Sequence, residues 1–319
     1  VERSRGLGDV YKRQPQSSIY VAASQVREVE RRYFPYVLKR TLDRSGFWGA
    51  VRVLPRADPS AEINVVATII ESSGAVFSLQ IRVTTATGQV WLDRIYHDVT
   101  DHIDYATDPD YVSDAFQDIY SRIANDMSER LLLQSEAQRR EVIDAALMRY
   151  GQALSPDAFS RYIEATHDGY VLAALPALDD PLLLNLLRIR KSEYLFSDSV
   201  DAHYEKLYRT VGPTYAWWRY YSYELIVGNE RLGGMDAARG ATKGSWYAME
   251  RIYKTFKEAK MNQDALRELS ESFERETTAT TAEISGRVVE LSGSLDQQYD
   301  TWRVILQEMY EEATNLETP

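Results

Sequence analysis

The most regular alternation of apolar and polar positions lies in residues 61–98. Gly74 and Gly88 divide this stretch into three runs, and glycine accepts the backbone angles that tight turns need. A period of two is typical of half-buried strands. The pattern predicts three strands paired as an antiparallel meander. The second run places four apolar side chains on one face: Phe77, Leu79, Ile81 and Val83.

The first run of this stretch departs from strict alternation. Val65 and Ile69 fall on the face expected to be buried, whereas Val66 and Ile70 add apolar side chains to the opposite face. Strands with two apolar faces are usually covered on both sides. We therefore expect a helix to cover part of the far side of the sheet.

The residues before the meander predict a strand, a helix and a second strand. Residues 18–23 (SIYVAA) are a short apolar run suited to a buried strand, and Ser24 is a suitable N-cap for a helix that begins at Gln25. Pro35 interrupts the helical pattern, so we expect a kink or two abutting helices there. Residues 48–54 predict the second strand.

After the meander, residues 100–109 predict a polar loop and residues 111–135 an amphipathic helix. The predicted order is β-α-β-β-β-β-α. This order indicates an α+β domain over residues 15–135, in which a helix pair packs on a mostly antiparallel sheet.

Residues 136–319 predict an all-α helical domain, because helix formers dominate and strand patterns nearly disappear. Ser155 and Pro156 are typical of a helix start. Residues 277–293 contain β-branched residues and glycines, which indicate one short strand or an extended segment. Stacked helical hairpins of solenoid type are an alternative architecture. The predicted helices span residues 136–150, 199–210, 213–227, 245–260, 262–276 and 295–314, with one more beginning at 155.

The composition and length of the chain argue against several classes of function. The length of 319 residues indicates about two domains, and the net charge of -11 argues against a nucleic-acid binder held by phosphate contacts. The chain has no cysteine, which excludes disulfides, thiolate nucleophiles and cysteine-ligated metals. No run approaches the roughly 18 apolar residues of a membrane-spanning helix. No motif predicts a cofactor or a catalytic centre.

Residues 1–14 have a different character from the rest of the chain. Asp9-Val10-Tyr11-Lys12-Arg13-Gln14 resembles the translation of a transposon-end adapter used in sequencing libraries. We interpret residues 1–14 as an artefactual leader and exclude them from fold reasoning. We expect the native amino terminus, with any signal peptide or lipobox cysteine, to be missing.

Histidines and carboxylates cluster at the end of the meander: His97, Asp98, Asp101, His102 and Asp104. These residue types ligate metals. Their spacing matches no known ligand pattern, so a solvated acidic loop is the favoured interpretation and a metal site the alternative.

Aromatic residues concentrate between positions 204 and 223. They fall on more than one face of the helix predicted from Pro213, so some could be exposed and bind a sugar ring or a partner's apolar side chain. The favoured interpretation is a buried core between two helical layers. The candidate ligand or partner surface comprises Tyr204, Tyr208, Tyr215, Trp217, Trp218 and Tyr221.

Two further clusters suggest sites only weakly. Gly233, Gly234, Gly240 and Lys243-Gly244-Ser245 invite comparison with a phosphate loop, but the Lys-Gly-Ser order and the lack of a preceding strand predict a flexible loop between helices. His203 could act as a general base near three carboxylates, although helix capping is the favoured interpretation. Those carboxylates belong to Asp198, Asp201 and Glu205.

A family resemblance rests on residues 18–135. The early helix reaches Leu42 and is followed by Gly46-Phe47-Trp48, then by the strand 65–69 and the turn Thr87-Gly88-Gln89-Val90. This arrangement resembles the amino-terminal domain of TolB and the related domains of CsgG-like outer-membrane lipoproteins. The resemblance implies a periplasmic or outer-membrane-anchored protein of a Gram-negative bacterium that binds other envelope proteins. Nothing downstream resembles propeller repeats or a pore-forming hairpin, so those functions are not carried over.

The sequence thus predicts a non-enzymatic protein that acts by protein–protein contact in a cell-envelope assembly. The alternative is a glycan-binding protein or a hydrolase, with a cleft in the helical domain lined by Tyr204, Trp217, Trp218 and His203. An exposed sheet edge in the first domain would favour binding of a partner by strand addition.

Overall fold

The computed structural model describes residues 14–100, 114–238, 246–275, 280–284 and 287–316. The helices are α1 (Gln14–Ser45), α2 (Gln117–Leu132), α3 (Glu136–Leu154), α4 (Pro156–Phe159), α5 (Pro181–Ala238), α6 (Trp246–Arg275) and α7 (Leu295–Leu316). The strands are β1 (Ile63–Ser72), β2 (Val76–Thr85), β3 (Val90–Val99), β4 (Ile163–Thr166), β5 (Gly169–Leu172), β6 (Thr280–Ile284) and β7 (Arg287–Leu291).

The predicted meander is confirmed. Its strands pair antiparallel in the order β1-β2-β3, with Ile81 of β2 opposite Ala67 of β1 and Arg94 of β3. Apolar side chains of β2 are fully buried on one face, as the period of two requires. α1 and α2 both contribute to the core on that face. The predicted fold class, an antiparallel sheet with helices that precedes a large helical region, is confirmed.

Residues 18–23 are helical, so the strand predicted there is wrong. They lie inside α1. This helix continues through Pro35, so the alternative of two abutting helices is wrong. A short apolar run fits a strand and a buried helix equally well, and the continuation into the helix from Gln25 decides between them.

Residues 48–54 form no strand. Arg52 donates through Nε to Asp198 Oδ1 at 2.6 Å, and the backbone N–H of Val53 donates to Asp201 Oδ1 at 2.8 Å. Two polar groups of this segment, the Arg52 guanidinium and the Val53 N–H, therefore bond with carboxylates of α5 and not with a neighbouring strand.

The helical region contains fewer and longer helices than predicted. α5 is one helix of 58 residues that includes Pro213, in place of separate helices over 199–210 and 213–227. α6 likewise joins the two helices predicted over 245–276. Ser135 caps α3 as part of a capping box with Gln138, and α3 continues past Gly151.

Two short hairpins interrupt the helices. β4 and β5 form one that the sequence pattern did not predict. β6 and β7 form the other, where residues 277–293 predicted one strand or an extended segment. Strands of four or five residues are too short to show a clear periodicity.

α5 contributes to two hydrophobic cores. Val211 and Tyr215 pack with the sheet, α1 and α2, whereas Leu186 and Val200 pack with α3 and α7. The second core also includes Tyr36 of α1. The predicted domain boundary between residues 135 and 136 stays a prediction, and each core includes residues from both sides of it.

Candidate interaction site at the free edge of the sheet

β1 is an edge strand with an exposed middle. It pairs with β2, and within the described residues no backbone hydrogen bond joins its other edge to a strand. The side chains of Val66 and Ile70 are 47% and 49% exposed. The expectation that a helix covers them is wrong for the described part of the chain, because α1 and α2 both pack on the opposite face of the sheet.

β1 lacks the features that protect the other edge of the sheet. It carries no charged residue before Glu71. β3, by contrast, contains Asp93 and Arg94, and Arg122 of α2 donates to the backbone carbonyl of His97 at 2.9 Å. Charged side chains and covering contacts prevent edge strands from pairing with other chains. In the described sheet, β1 is therefore the unprotected edge.

The backbone groups that β1 offers follow from its pairing with β2. The carbonyl of Glu62 accepts a hydrogen bond of 2.8 Å from the N–H of Ala86, just before the strand begins. Bonded and non-bonded positions alternate along an antiparallel pair. The N–H and C=O groups of Val65 and Ala67 therefore point away from β2, where an added strand can bond with them.

A buried ionic network holds the end of β1. The hydroxyl of Ser72 donates to Glu30 Oε1 in α1 at 2.6 Å, and the hydroxyl of Tyr215 in α5 donates to the same oxygen at 2.8 Å. Arg219, also in α5, donates to both hydroxyl oxygens, at 2.9 Å to Ser72 and 2.7 Å to Tyr215. All four side chains are buried.

Burial changes the pKa of the carboxyl group in this network. It raises the pKa of the Glu30 carboxyl, and the charge of Arg219 partly offsets that rise. The Arg219 guanidinium also lies over the rings of Phe77 and Phe116, at 4.8 and 4.3 Å from their centroids. Such cation–π contacts are favourable where water is excluded. The network joins α1, α5 and the sheet.

The turn after β1 touches the backbone of α5. A Cβ atom added at Gly74 would lie 2.1 Å from the backbone nitrogen of Tyr223 and 2.5 Å from the backbone oxygen of Arg219. Real side chains never come so close, so this contact requires glycine. It fixes the end of β1 against the helix.

A second set of contacts holds the start of β1. The amide of Asn64 donates to the backbone carbonyl of Asp58 at 2.7 Å and accepts from the backbone N–H of Asp58 at 3.1 Å. The Asp58 carboxylate accepts from the hydroxyls of Ser60 at 2.7 Å and Tyr299 at 3.1 Å. The loop before β1 is thereby attached to α7.

Arg303 extends this contact to α5. One of its nitrogens lies 3.0 Å from Glu193 Oε1 and 3.5 Å from Asp58 Oδ2. Both carboxylates are buried. Burial, with the nearby charge of Asp58, raises the pKa of Glu193 to about 7. β1 is thus anchored at both ends and exposed in its middle, an arrangement that presents a rigid template for another strand.

The candidate aromatic surface divides between the two cores and the exterior. Tyr204 is buried with α3 and α7, whereas Tyr215 and Trp218 are buried with the sheet. Tyr208 is partly buried between the cores, where its ring stacks on Tyr33 at 5.1 Å between centroids. These four side chains act as core residues.

Trp217 and Tyr221 lie on the exterior of α5. Trp217 is 57% exposed and stacks on the half-buried Tyr221 with 5.8 Å between ring centroids. Trp217 does not share a surface with Tyr204 or Trp218, which are buried. The six candidates therefore do not line one common cleft.

The residues around His203 lie in the interior of α5, so the helix-capping interpretation is wrong: the helix begins much earlier, at Pro181. Nδ1 of His203 lies 2.8 Å from the backbone oxygen of Ser199 within the same helix. Glu205 pairs with Arg209. These contacts, together with those of Asp198 and Asp201 with residues 52–53, join parts of the fold to one another.

The candidate metal ligands fall partly outside the described residues, which include His97 and Asp98 but not Asp101, His102 or Asp104. Asp98 lies 3.6 Å from Arg122. Within the described ranges, no group of three or more potential ligands could hold a metal ion.

The predicted loop around the glycines is wrong at its start. Gly233 and Gly234 lie inside α5, and Gly240 and Lys243-Gly244-Ser245 lie outside the described residues. Each glycine costs a helix about 1 kcal/mol relative to alanine, which does not by itself end a long helix.

Sequence reasoning missed the buried charges that anchor β1. Glu30 had a detectable signal, because it lies four residues from both Val26 and Phe34 and therefore on the apolar face of α1. Asp58 and Glu193 had no comparable signal, since their partner Arg303 is distant in the chain.

In comparisons with known proteins, no family model, no curated protein and no solved structure matches this chain. The resemblance to the amino-terminal domain of TolB stays a prediction. Among the described residues, no helix is both long enough and apolar enough to cross a membrane.

Proposed function

We propose that this chain is a non-enzymatic binding protein that acts by protein–protein contact in a cell-envelope assembly. In this contact, an extended segment of a partner protein adds as a strand to the free edge of β1. The observation that carries the proposal is the exposed and uncharged middle of a strand whose two ends are anchored.

The physical support comes from the cost of leaving such an edge exposed. Proteins usually protect edge strands with charges, proline or covering elements. Between Ile63 and Ile70, β1 has no charged residue and no proline, and within the described ranges no strand pairs with its free edge; a bulge between Ile69 and Glu71 ends its regular pairing. An exposed apolar edge is suited to binding an added strand. In that mode, main-chain hydrogen bonds provide affinity and alternate side chains provide specificity.

The proposed compartment is the periplasm or the outer membrane of a Gram-negative bacterium, and the proposed partners are other envelope proteins. Its support is the resemblance of residues 18–135 to TolB and CsgG-like domains. Fractionation of cells that express the full-length gene tests it. Recovery of the protein in the cytoplasmic fraction alone contradicts this part of the proposal.

In-cell photo-cross-linking tests the contact itself. A photoreactive amino acid at Val66 should give discrete adducts with one or a few proteins. The matched control is Ile143 in α3, whose exposed fraction of 53% is close to the 47% of Val66. Adducts of equal yield and pattern at both positions would show that the edge has no preferred partner.

A second candidate function rests on Trp217. An exposed tryptophan stacked on a tyrosine offers a flat apolar surface suited to a sugar ring. Co-sedimentation with purified peptidoglycan tests this glycan-binding alternative. If the glycan-binding alternative is correct, Trp217→Ala reduces co-sedimentation and Val66→Lys leaves it unchanged.

A further inference from the structure

The buried cluster around Glu193 joins four parts of the fold. Asp58 faces it from the loop before β1, Tyr150 from α3, Arg190 from α5 itself, and Tyr299 and Arg303 from α7. Arg303 is the residue shared by both carboxylates, since one guanidinium nitrogen lies within 3.5 Å of each.

The geometry of the cluster favours protonation of one of its two carboxylates. With both carboxylates ionised, two negative charges lie in a buried site against the same guanidinium nitrogen, and like charges so placed disfavour each other. A proton on Glu193 removes that repulsion and the cost of burying a second charge. It leaves the contacts of Asp58 with Arg303 and Tyr299 intact.

The charge of Arg190 lowers the pKa of Glu193 and so offsets this repulsion only in part, because burial and Asp58 have the larger effect. Its Nη2 donates to the backbone oxygen of Ser60 at 2.7 Å, and its Nε donates to the Tyr194 hydroxyl at 2.7 Å. Its guanidinium also lies 4.9 Å from the centroid of the Tyr150 ring. These contacts hold the loop before β1 against α5 whichever state Glu193 adopts.

We propose that the protonation state of Glu193 controls the contact between α7 and the loop before β1, and we call this contact the latch. The neutral carboxyl holds the two parts together, and its ionisation loosens the contact. The latch is a regulatory device in the fold. It does not depend on the proposed binding function, because its readouts are unfolding and hydrogen exchange.

The direction of the pH effect follows from linkage. Burial and Asp58 raise the pKa of Glu193 from its ordinary 4.5 to about 7 in the folded protein. Between these values the folded state binds more protons than the unfolded state, so stability falls as pH rises. The contribution is fully present below pH 4.5 and is lost as pH rises through about 7.

Thermal unfolding of the whole chain between pH 5 and pH 8 tests the latch. We expect the melting temperature of the wild type to fall over this range and Glu193→Gln to reduce that fall. Part of the fall should remain, because burial also raises the pKa of the Glu30 and Asp201 carboxyls. The matched control is Asp300→Asn, because Asp300 forms an exposed ion pair with Arg56 that also connects the loop to α7. This control should keep the wild-type pH dependence.

Hydrogen exchange of the wild type locates the effect without any substitution. After correction for intrinsic rates, residues 58–64 and the first turns of α7 should exchange at least several-fold faster at pH 8 than at pH 5.5. Asp58→Asn should move the transition to lower pH, since it removes the like charge. An unchanged pH dependence in Glu193→Gln, or equal flattening in Asp300→Asn, overturns the proposal.

Discussion

Glu30 and Arg219 form a buried ion pair that joins α1 to α5. Their nearest charged atoms are 3.9 Å apart, and the hydroxyls of Ser72 and Tyr215 bridge them. Removing one partner from a buried pair leaves an uncompensated charge, whereas replacing both with apolar residues is often nearly neutral. We therefore expect the pair to specify the position of the strand end more than it stabilises the fold.

We predict that Glu30→Leu lowers the free energy of unfolding by about 3–5 kcal/mol, because Arg219 then loses its counter-charge. The double variant Glu30→Leu with Arg219→Met should lose clearly less than the single variant. Chemical denaturation at pH 7 measures both. Glu28→Leu on the same helix is the control: the Glu28 side chain is 43% exposed, so its loss should change stability by about 1 kcal/mol or less. A double variant at least as unstable as Glu30→Leu alone contradicts the argument.

Gly74 gives a second prediction for a single residue. Gly74→Ala should destabilise the protein by about 1–3 kcal/mol or more, because its Cβ would overlap the backbone of α5. Gly49→Ala is the matched control: nothing lies within 4 Å of a Cβ built there. Equal urea midpoints for the two variants would show that the turn after β1 can move away from α5 at little cost.

The proposed function belongs to one element, the strand β1. Ala67→Pro removes a backbone N–H that points away from β2, and proline is tolerated on the free side of an edge strand. We predict that this variant loses the adducts formed at Val66 while its melting temperature stays close to that of the wild type. Ala67→Ser keeps the N–H and should keep the adducts. Persistence of the adducts in Ala67→Pro excludes strand addition as the mode of contact.

The elements differ in how well their sequence determines them. The meander was predictable because its alternation, turn glycines and pairing agree with one another. Residues 18–23 and 48–54 carried the same kind of apolar run but became a helix and an irregular segment. Residues 18–23 continue into the helix that follows them. For residues 48–54, Asp198 and Asp201 of α5 bind residues 52–53 in place of a neighbouring strand.

At the scale of the whole molecule, α5 is the longest element that contributes to both cores, and α1 also reaches the second core through Tyr36. The first half of α5 packs with α3 and α7, and its second half packs with the sheet. A continuous helix transmits loss of packing from one core to the other. We therefore expect the described parts of the chain to unfold together.

Leu306→Ala tests this coupling. Leu306 of α7 is fully buried in the second core, and truncating such a leucine costs about 2–5 kcal/mol. We predict that hydrogen exchange then accelerates in β2 as well as in α7. Val304→Ala, two residues away and exposed, should leave both unchanged. Acceleration confined to α7 and α3 would show that the two cores unfold independently.

The sequence by itself determined the three-stranded meander and the predominance of helices after it. Each depends on residues close together in the chain, whose periodicity and hydrogen bonds are visible without knowing the fold. Of the predicted aromatic core, Tyr204, Tyr215 and Trp218 are buried, but Tyr215 and Trp218 pack in the core that contains the sheet and not between two helical layers.

The tertiary structure decided the rest. Which edge of the sheet stays free depends on where α2 packs, and the anchors at Ser72 and Asp58 depend on partners up to 245 residues away. A buried charge is recognised by the group that compensates it, and no local pattern identifies that group. The candidate site therefore appeared only when α1, α5 and α7 were placed around the strand.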